Sequence, residues 1–199
     1  MTLPGTTIEV GRYTDDVAED VLGHIFCAGG IVLSQVTALT GVPPHDVQNW
    51  VKRGFLPPPE HRMYDRRRFV RIVIINMLRE SMQIDRVPVL LSYINGDLCD
   101  DSDDSIDDDR LYNLLVNLLA RTGEGLPDKA ALSAACDEVL ADFVERVPHS
   151  RLRIREVLMV MVCAWKSALA KQMAEVLMTD ILSAALPPPP RDARRVARG

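Results

Sequence analysis

The sequence predicts an all-α protein. Over most of its 199 residues apolar side chains recur at spacings of three and four, the period of a helix with one buried face. Alternating, strand-like stretches are almost absent, and Gly and Pro punctuate the periodic runs rather than interrupting them. The hydrophobic fraction of 47% is that of a folded globular chain, not a disordered one.

Residues 10–26 read as a first short helix, with Thr14 as its cap, Asp15 and Asp16 in its first turn and Val17, Val21, Leu22 and Ile25 on one side. Gly29 and Gly30 end it. Residues 33–40 form a second helix, stopped at Gly41. Pro43 and Pro44 open a third, which has Val47, Trp50 and Val51 on its apolar side and closes at Gly54. The "LPPPEHRMY" stretch is extended, because three prolines in succession exclude a helix, and Tyr64 suits a short strand. Asp65 then caps a helix running to about Ser81 that is apolar on nearly every side, so it needs cover on two faces. A short helix follows over 87–94. Three more helical patterns cover 111–120, 129–147 and 152–186.

Composition divides this series into five parts: a helical N-terminal arm (1–30), a head (31–95), an acidic linker (96–110), a helical C-terminal domain (111–187) and a Pro/Arg-rich disordered tail (188–199). The charge is unevenly spread. The whole chain carries −5, yet residues 31–80 hold eight basic groups against four acidic ones, and residues 81–150 hold five against fifteen. The basic block is the part suited to a polyanion.

Other chemistries find little support. The four cysteines stand singly, with no Cys/His cluster for zinc, and read as buried free thiols except Cys99 in its acidic surroundings. The acidic run misses the calcium-loop template, which needs Gly and Glu where this chain has Ile106 and Tyr112. The four histidines fall into no arrangement with a Ser or Cys nucleophile, and no Gly-rich phosphate loop is present. No catalytic residue, metal or cofactor is therefore expected. The chain shows no secretion signal and no uninterrupted apolar run of about 20 residues, so a cytoplasmic location without membrane contact is expected.

The second and third helices form a helix-turn-helix pattern. The outward side of the third carries Pro44, His45, Gln48, Asn49 and Lys52. Gln and Asn can pair two-fold with an adenine edge in the major groove, and Lys52, Arg53 and Arg62 suit phosphates. The cations Arg66 and Arg67 sit at a helix N-terminus, where they oppose the dipole unless an anion offsets them, and phosphate is the anion expected.

The segments "LSQVTALTGV", "NWVKRGFLPPP" and "HRMY", followed by a long helix and "SMQIDRVPVLLSYI", resemble the DNA-binding domain of the MerR family of bacterial regulators. The resemblance covers about a third of the chain. It implies a winged helix-turn-helix, with the third helix in the major groove and Arg62 and Tyr64 in the wing. The wing is short, and Gln48 and Asn49 stand where the family often has Arg and Tyr, so base preference does not carry over. An acidic segment also intervenes where the family runs straight into a dimerisation helix.

The function expected is a sequence-specific regulator that binds duplex DNA as a homodimer, its effector unknown. The alternative is a protein–protein adaptor whose helix-turn-helix no longer binds DNA, which the net negative charge favours. The stripe from Ile154 to Leu177 runs along a helix too long for one small domain to cover, which favours a dimer.

Overall fold

The computed structural model describes residues 1–100, 102, 104–123 and 125–185. In chain order the elements are α1 (Val17–Ile25), β1 (Ile31–Val32), α2 (Leu33–Thr40), α3 (Pro44–Lys52), β2 (Met63–Tyr64), α4 (Arg66–Arg79), α5 (Arg86–Asn95), α6 (Asp108–Thr122), α7 (Lys129–Val139) and α8 (Ser150–Ala185). The described protein is therefore all-α apart from one antiparallel pair, in which Ile31 lies opposite Tyr64 and Val32 opposite Met63. The expected tail, 188–199, lies outside the described residues.

Local chemistry sets the boundaries in the first half. Gly41 closes α2 in the left-handed conformation, with φ 71°. Pro44 stands at the first position of α3, where its missing N–H costs nothing. Asp65 caps α4 by accepting from the Arg68 amide at 2.8 Å. Between α3 and α4 the chain makes a two-residue turn at His61 and Arg62, both at positive φ (49° and 66°), closed by reciprocal backbone bonds between Glu60 and Met63. Two left-handed residues are what the tightest hairpin connections require.

α4 buries nine residues, among them Arg71, and packs against α2, β2, α5, α6 and α8. One continuous apolar core consequently runs from Leu3 through the head to Trp165. The supposed linker belongs to this body. Ile106 is buried, and the buried Asn95 side chain donates to the Ile106 carbonyl at 2.7 Å while accepting from the amides of Ser105 and Ile106. Asp108 opens α6 and pairs with Arg71 at 2.7 Å, with both side chains buried. Like-charge repulsion is overcome here because arginines of α4 supply the countercharge. Asp101 and Asp103 lie outside the described residues.

The first thirty residues are likewise no free arm. Residues 1–10 fold back on themselves through a Thr2–Glu9 bridge. Leu3 enters the core, the Tyr112 hydroxyl donates to the Pro4 carbonyl at 2.7 Å, and Thr7 donates to the carbonyls of Ala38 and Leu39 at the end of α2. Gly5, at φ 74°, lies so near α4 that a Cβ would come within 2.2 Å of the Val73 carbonyl oxygen. α1 begins at Val17, later than expected, because the Asp16 amide and carboxylate are held by Asn117 and Asn113 of α6.

α7 ends at Val139 rather than running to 147, because Leu140 and Phe143 turn into the core. Of the cysteines only Cys136 is buried, while Cys27 and Cys163 are exposed along with Cys99. α8 spans 36 residues, roughly 54 Å at ~1.5 Å per residue. By length and composition Ser150–Ala184 is apolar enough to cross a bilayer, a property masked in the sequence by Lys166. The first half of α8 is a core helix. There the Lys166 ammonium donates to the carbonyls of Thr122, Gly123 and Gly125, capping the end of α6.

Asp108→Asn should cost about 3–5 kcal/mol in denaturant unfolding, since it strands the buried Arg71 charge, whereas the paired change Arg71→Met with Asp108→Leu should recover most of that loss.

Candidate nucleic-acid interface

α3 is oriented from beneath. Val47 and Trp50 are buried, Trp50 to 3% exposure, so the opposite side of the helix faces solvent. Pro44, His45, Gln48, Asn49 and Lys52 are all exposed there, as their helical phase predicts. Arg79 of α4 fixes this orientation. It donates to Asp46 of α3 at 2.7 Å, lies over the Trp50 ring at 5.2 Å and donates through Nε to Asn76. Asn76 in turn donates to the carbonyls of Gly5 and Thr40, both at 3.0 Å. One polar network thus ties the N-terminal hairpin, the end of α2 and the outward-facing helix to α4. Arg79 and Asn76 escape notice in the sequence because their partners lie more than thirty residues away.

The turn between α3 and α4 is built in the same way. Arg68 donates to the Pro58 carbonyl at 2.8 Å, to Glu60 at 2.6 Å and to Asp65, so it braces the proline-rich segment. Arg62 is exposed at the tip. Tyr64, expected to make contacts from the wing, is buried to 3% exposure. Its place opposite Ile31 turns the ring into the core, and burial raises its pKa. Gly30 permits the pairing, since a Cβ there would approach the Tyr64 carbonyl oxygen to 3.0 Å.

The arginines at the start of α4 overturn another expectation. Arg66 bonds Glu19 and lies 3.3 Å from Asp109, and the Glu19 hydrogen bond raises its pKa. Arg67 bonds Asp104 and lies 3.9 Å from Asp108. Arg53 bonds Asp85 and stacks 4.3 Å over Phe55. The anions that offset the α4 dipole are therefore the protein's own carboxylates. Asp108 bears the cost, because burial drives its pKa up even though Arg71 and Arg67 draw it back. Of the eight basic residues in 31–80, Lys52 and Arg62 form no ion pair among the described residues. Among the described residues no three His, Cys, Asp or Glu side chains gather to hold a metal ion.

Residues 32–115 are similar to the family described as Domain of unknown function (DUF1836). That span opens at β1, takes in α2 to α5 and the acidic segment, and ends inside α6, so it crosses the division expected at 96–110. No curated protein and no solved structure matches the chain.

Trp50→Ala should lower stability by roughly 3–5 kcal/mol, as for other large buried aromatics. Thermal melting reads this directly, and an unchanged midpoint would place the ring on the surface instead.

Proposed function

We propose that the chain is a duplex-DNA-binding transcriptional regulator of the MerR-like winged helix-turn-helix type, working in the cytoplasm. The observation that carries this reading is the exposed polar side of α3, on which Gln48 and Asn49 stand between His45 and Lys52 while Trp50 and Arg79 lock the helix from below. An α-helix of this kind fits the major groove, and two carboxamides are the groups that pair two-fold with an adenine edge. Lys52 and Arg62 serve as phosphate contacts. Arg66 and Arg67 are partly buried against the protein's own carboxylates, and Arg53 pairs with the exposed Asp85, so these three are weaker candidates.

The same neutralisation favours the second reading, an adaptor in which the polar side of α3 meets a protein. Salt dependence separates the two. Each phosphate neutralised contributes about −0.9 to the slope of log K against log salt, so two free cations give about −2 per copy, whereas all eight basic residues would give about −7. Arg62→Ala should flatten the slope by about one unit and weaken all sequences alike. Gln48→Ala or Asn49→Ala should cost about 1–3 kcal/mol at a selected site and relax its sequence preference. No retardation of duplex DNA at low salt would decide for the adaptor.

A further inference from the structure

A groove of about 980 Å³ opens where α8 leaves the core, between that helix, the N-terminal hairpin and the loop after α6. Leu119 and Trp165 form its base, and Met1, Leu126, Leu169 and Met173 its sides. All six lie outside the matched span 32–115. One polar group in this apolar setting has nothing to bond. The Trp165 side chain is 6% exposed, and its Nε1 is buried without a hydrogen-bond partner among the described residues. Burial pushes the Tyr13 hydroxyl up to a pKa of about 12, and the nearby indole N–H draws it back, but the two do not reach hydrogen-bonding geometry. The Tyr13 hydroxyl donates instead to the Thr2 carbonyl at 2.7 Å. A buried N–H without an acceptor is costly, so the groove asks for an acceptor from outside.

We propose that the groove binds a free long-chain fatty acid, whose carboxylate accepts from Trp165 Nε1 while its chain lies along Leu169, Met173 and Val176. These three stand at spacings of four and three, so they form one line on α8 with Trp165 at its inner end. From Trp165 to Val176 that line runs roughly 16 Å at ~1.5 Å per residue, the reach of an extended chain of about a dozen carbons. A narrow trough of this kind suits an unbranched chain, and the flexible thioethers of Met1 and Met173 adapt to it. The described walls hold no carboxylate, and Lys166 brings a positive charge to the groove, which favours an anionic headgroup over a cationic one. An ionised acceptor also makes the stronger hydrogen bond to an N–H. Nε1 lies just beneath the groove surface. Tyr13 lines the same groove, and it yields as the carboxylate enters, turning its proton from the Thr2 carbonyl to the headgroup.

A bilayer is not the source of the chain. Residues 169–184, beyond the core, make roughly 24 Å of helix at ~1.5 Å per residue, short of a hydrocarbon core of about 30 Å. Asp180 also closes the outer end of the apolar line. The Lys166 ammonium is held by the carbonyls of Thr122, Gly123 and Gly125, so it sets the sign of the charge while Trp165 and Tyr13 make the bonds.

The site goes beyond the reading of α3 and does not rest on it, and its test needs no DNA. Isothermal titration of the full chain with dodecanoate, below the concentration at which it forms micelles, should show a single saturable site with a micromolar dissociation constant. Affinity should rise about two- to fourfold per methylene from octanoate through decanoate to dodecanoate. Dodecyltrimethylammonium, with the same chain and no acceptor, should bind at least about tenfold more weakly. Trp50→Phe leaves Trp165 as the remaining one of two tryptophans, and dodecanoate should then shift the indole emission. Met173→Glu changes a side chain that is 61% exposed, so the fold should stand while dodecanoate binding is lost. Trp165→Phe should weaken dodecanoate about tenfold and leave the ammonium compound unchanged. No saturable binding of dodecanoate, equal binding of the two headgroups, equal losses in Trp165→Phe, or co-sedimentation with phosphatidylcholine vesicles in place of dodecanoate binding would each overturn the assignment.

Discussion

A helix that buries nine of its fourteen residues leaves water no side to approach, and α4 is such a helix. A small three-helix head cannot enclose it, so α6 and α8 must pack where a free-standing head would meet solvent. The sequence also places Arg71 on the enclosed surface. A buried guanidinium needs a carboxylate with good geometry, or the desolvation cost dominates. Asp108 supplies it at 2.7 Å, and the Leu98 carbonyl accepts from the same guanidinium at 3.3 Å. Both partners come from the acidic stretch, so that stretch has to fold down onto the head.

This arrangement reshapes the electrostatics of the head. The acidic stretch that satisfies Arg71 brings Asp104 and Asp109 with it, and these reach Arg67 and Arg66. A basic run that looks like a polyanion-binding surface becomes an internal layer of ion pairs. What remains outward is more selective: two carboxamides, a histidine and a lysine on α3, and an arginine on a tight turn. For the duplex-DNA contact proposed above, few free cations mean little gain from counterion release, which leaves discrimination to base edges. That agrees with the acidic balance of the whole chain.

Much of this was legible in the sequence, and the reasons are local. Gly41, Pro44, Gly54 and Asp65 announce where α2, α3 and α4 start or stop, because each removes or supplies one backbone hydrogen bond or one φ value. The outward set on α3 follows from the phase of Val47 and Trp50. The failures share a different cause. Asp108 meets Arg71, Arg79 meets Asp46 and Thr7 meets Ala38 across more than thirty residues, and composition reports the charge of a segment without its partner. The short strand at Tyr64 is legible, but its burial is not, because that depends on the Ile31 strand, whose two residues carry no periodicity. The end of α7 was missed because residues 140–147 are apolar often enough to look helical, while Leu140 and Phe143 are turned inward by tertiary packing.

The head and the C-terminal helices form one cooperative body joined through α4 and the acidic segment. Native-state hydrogen exchange across a denaturant series tests it most directly. Amides in the middle of α4 and in the middle of α6 should exchange with the same free energy and the same denaturant dependence, that of global unfolding. Amides of α6 to α8 opening at distinctly lower free energy, while those of α2 to α5 stayed protected, would contradict it.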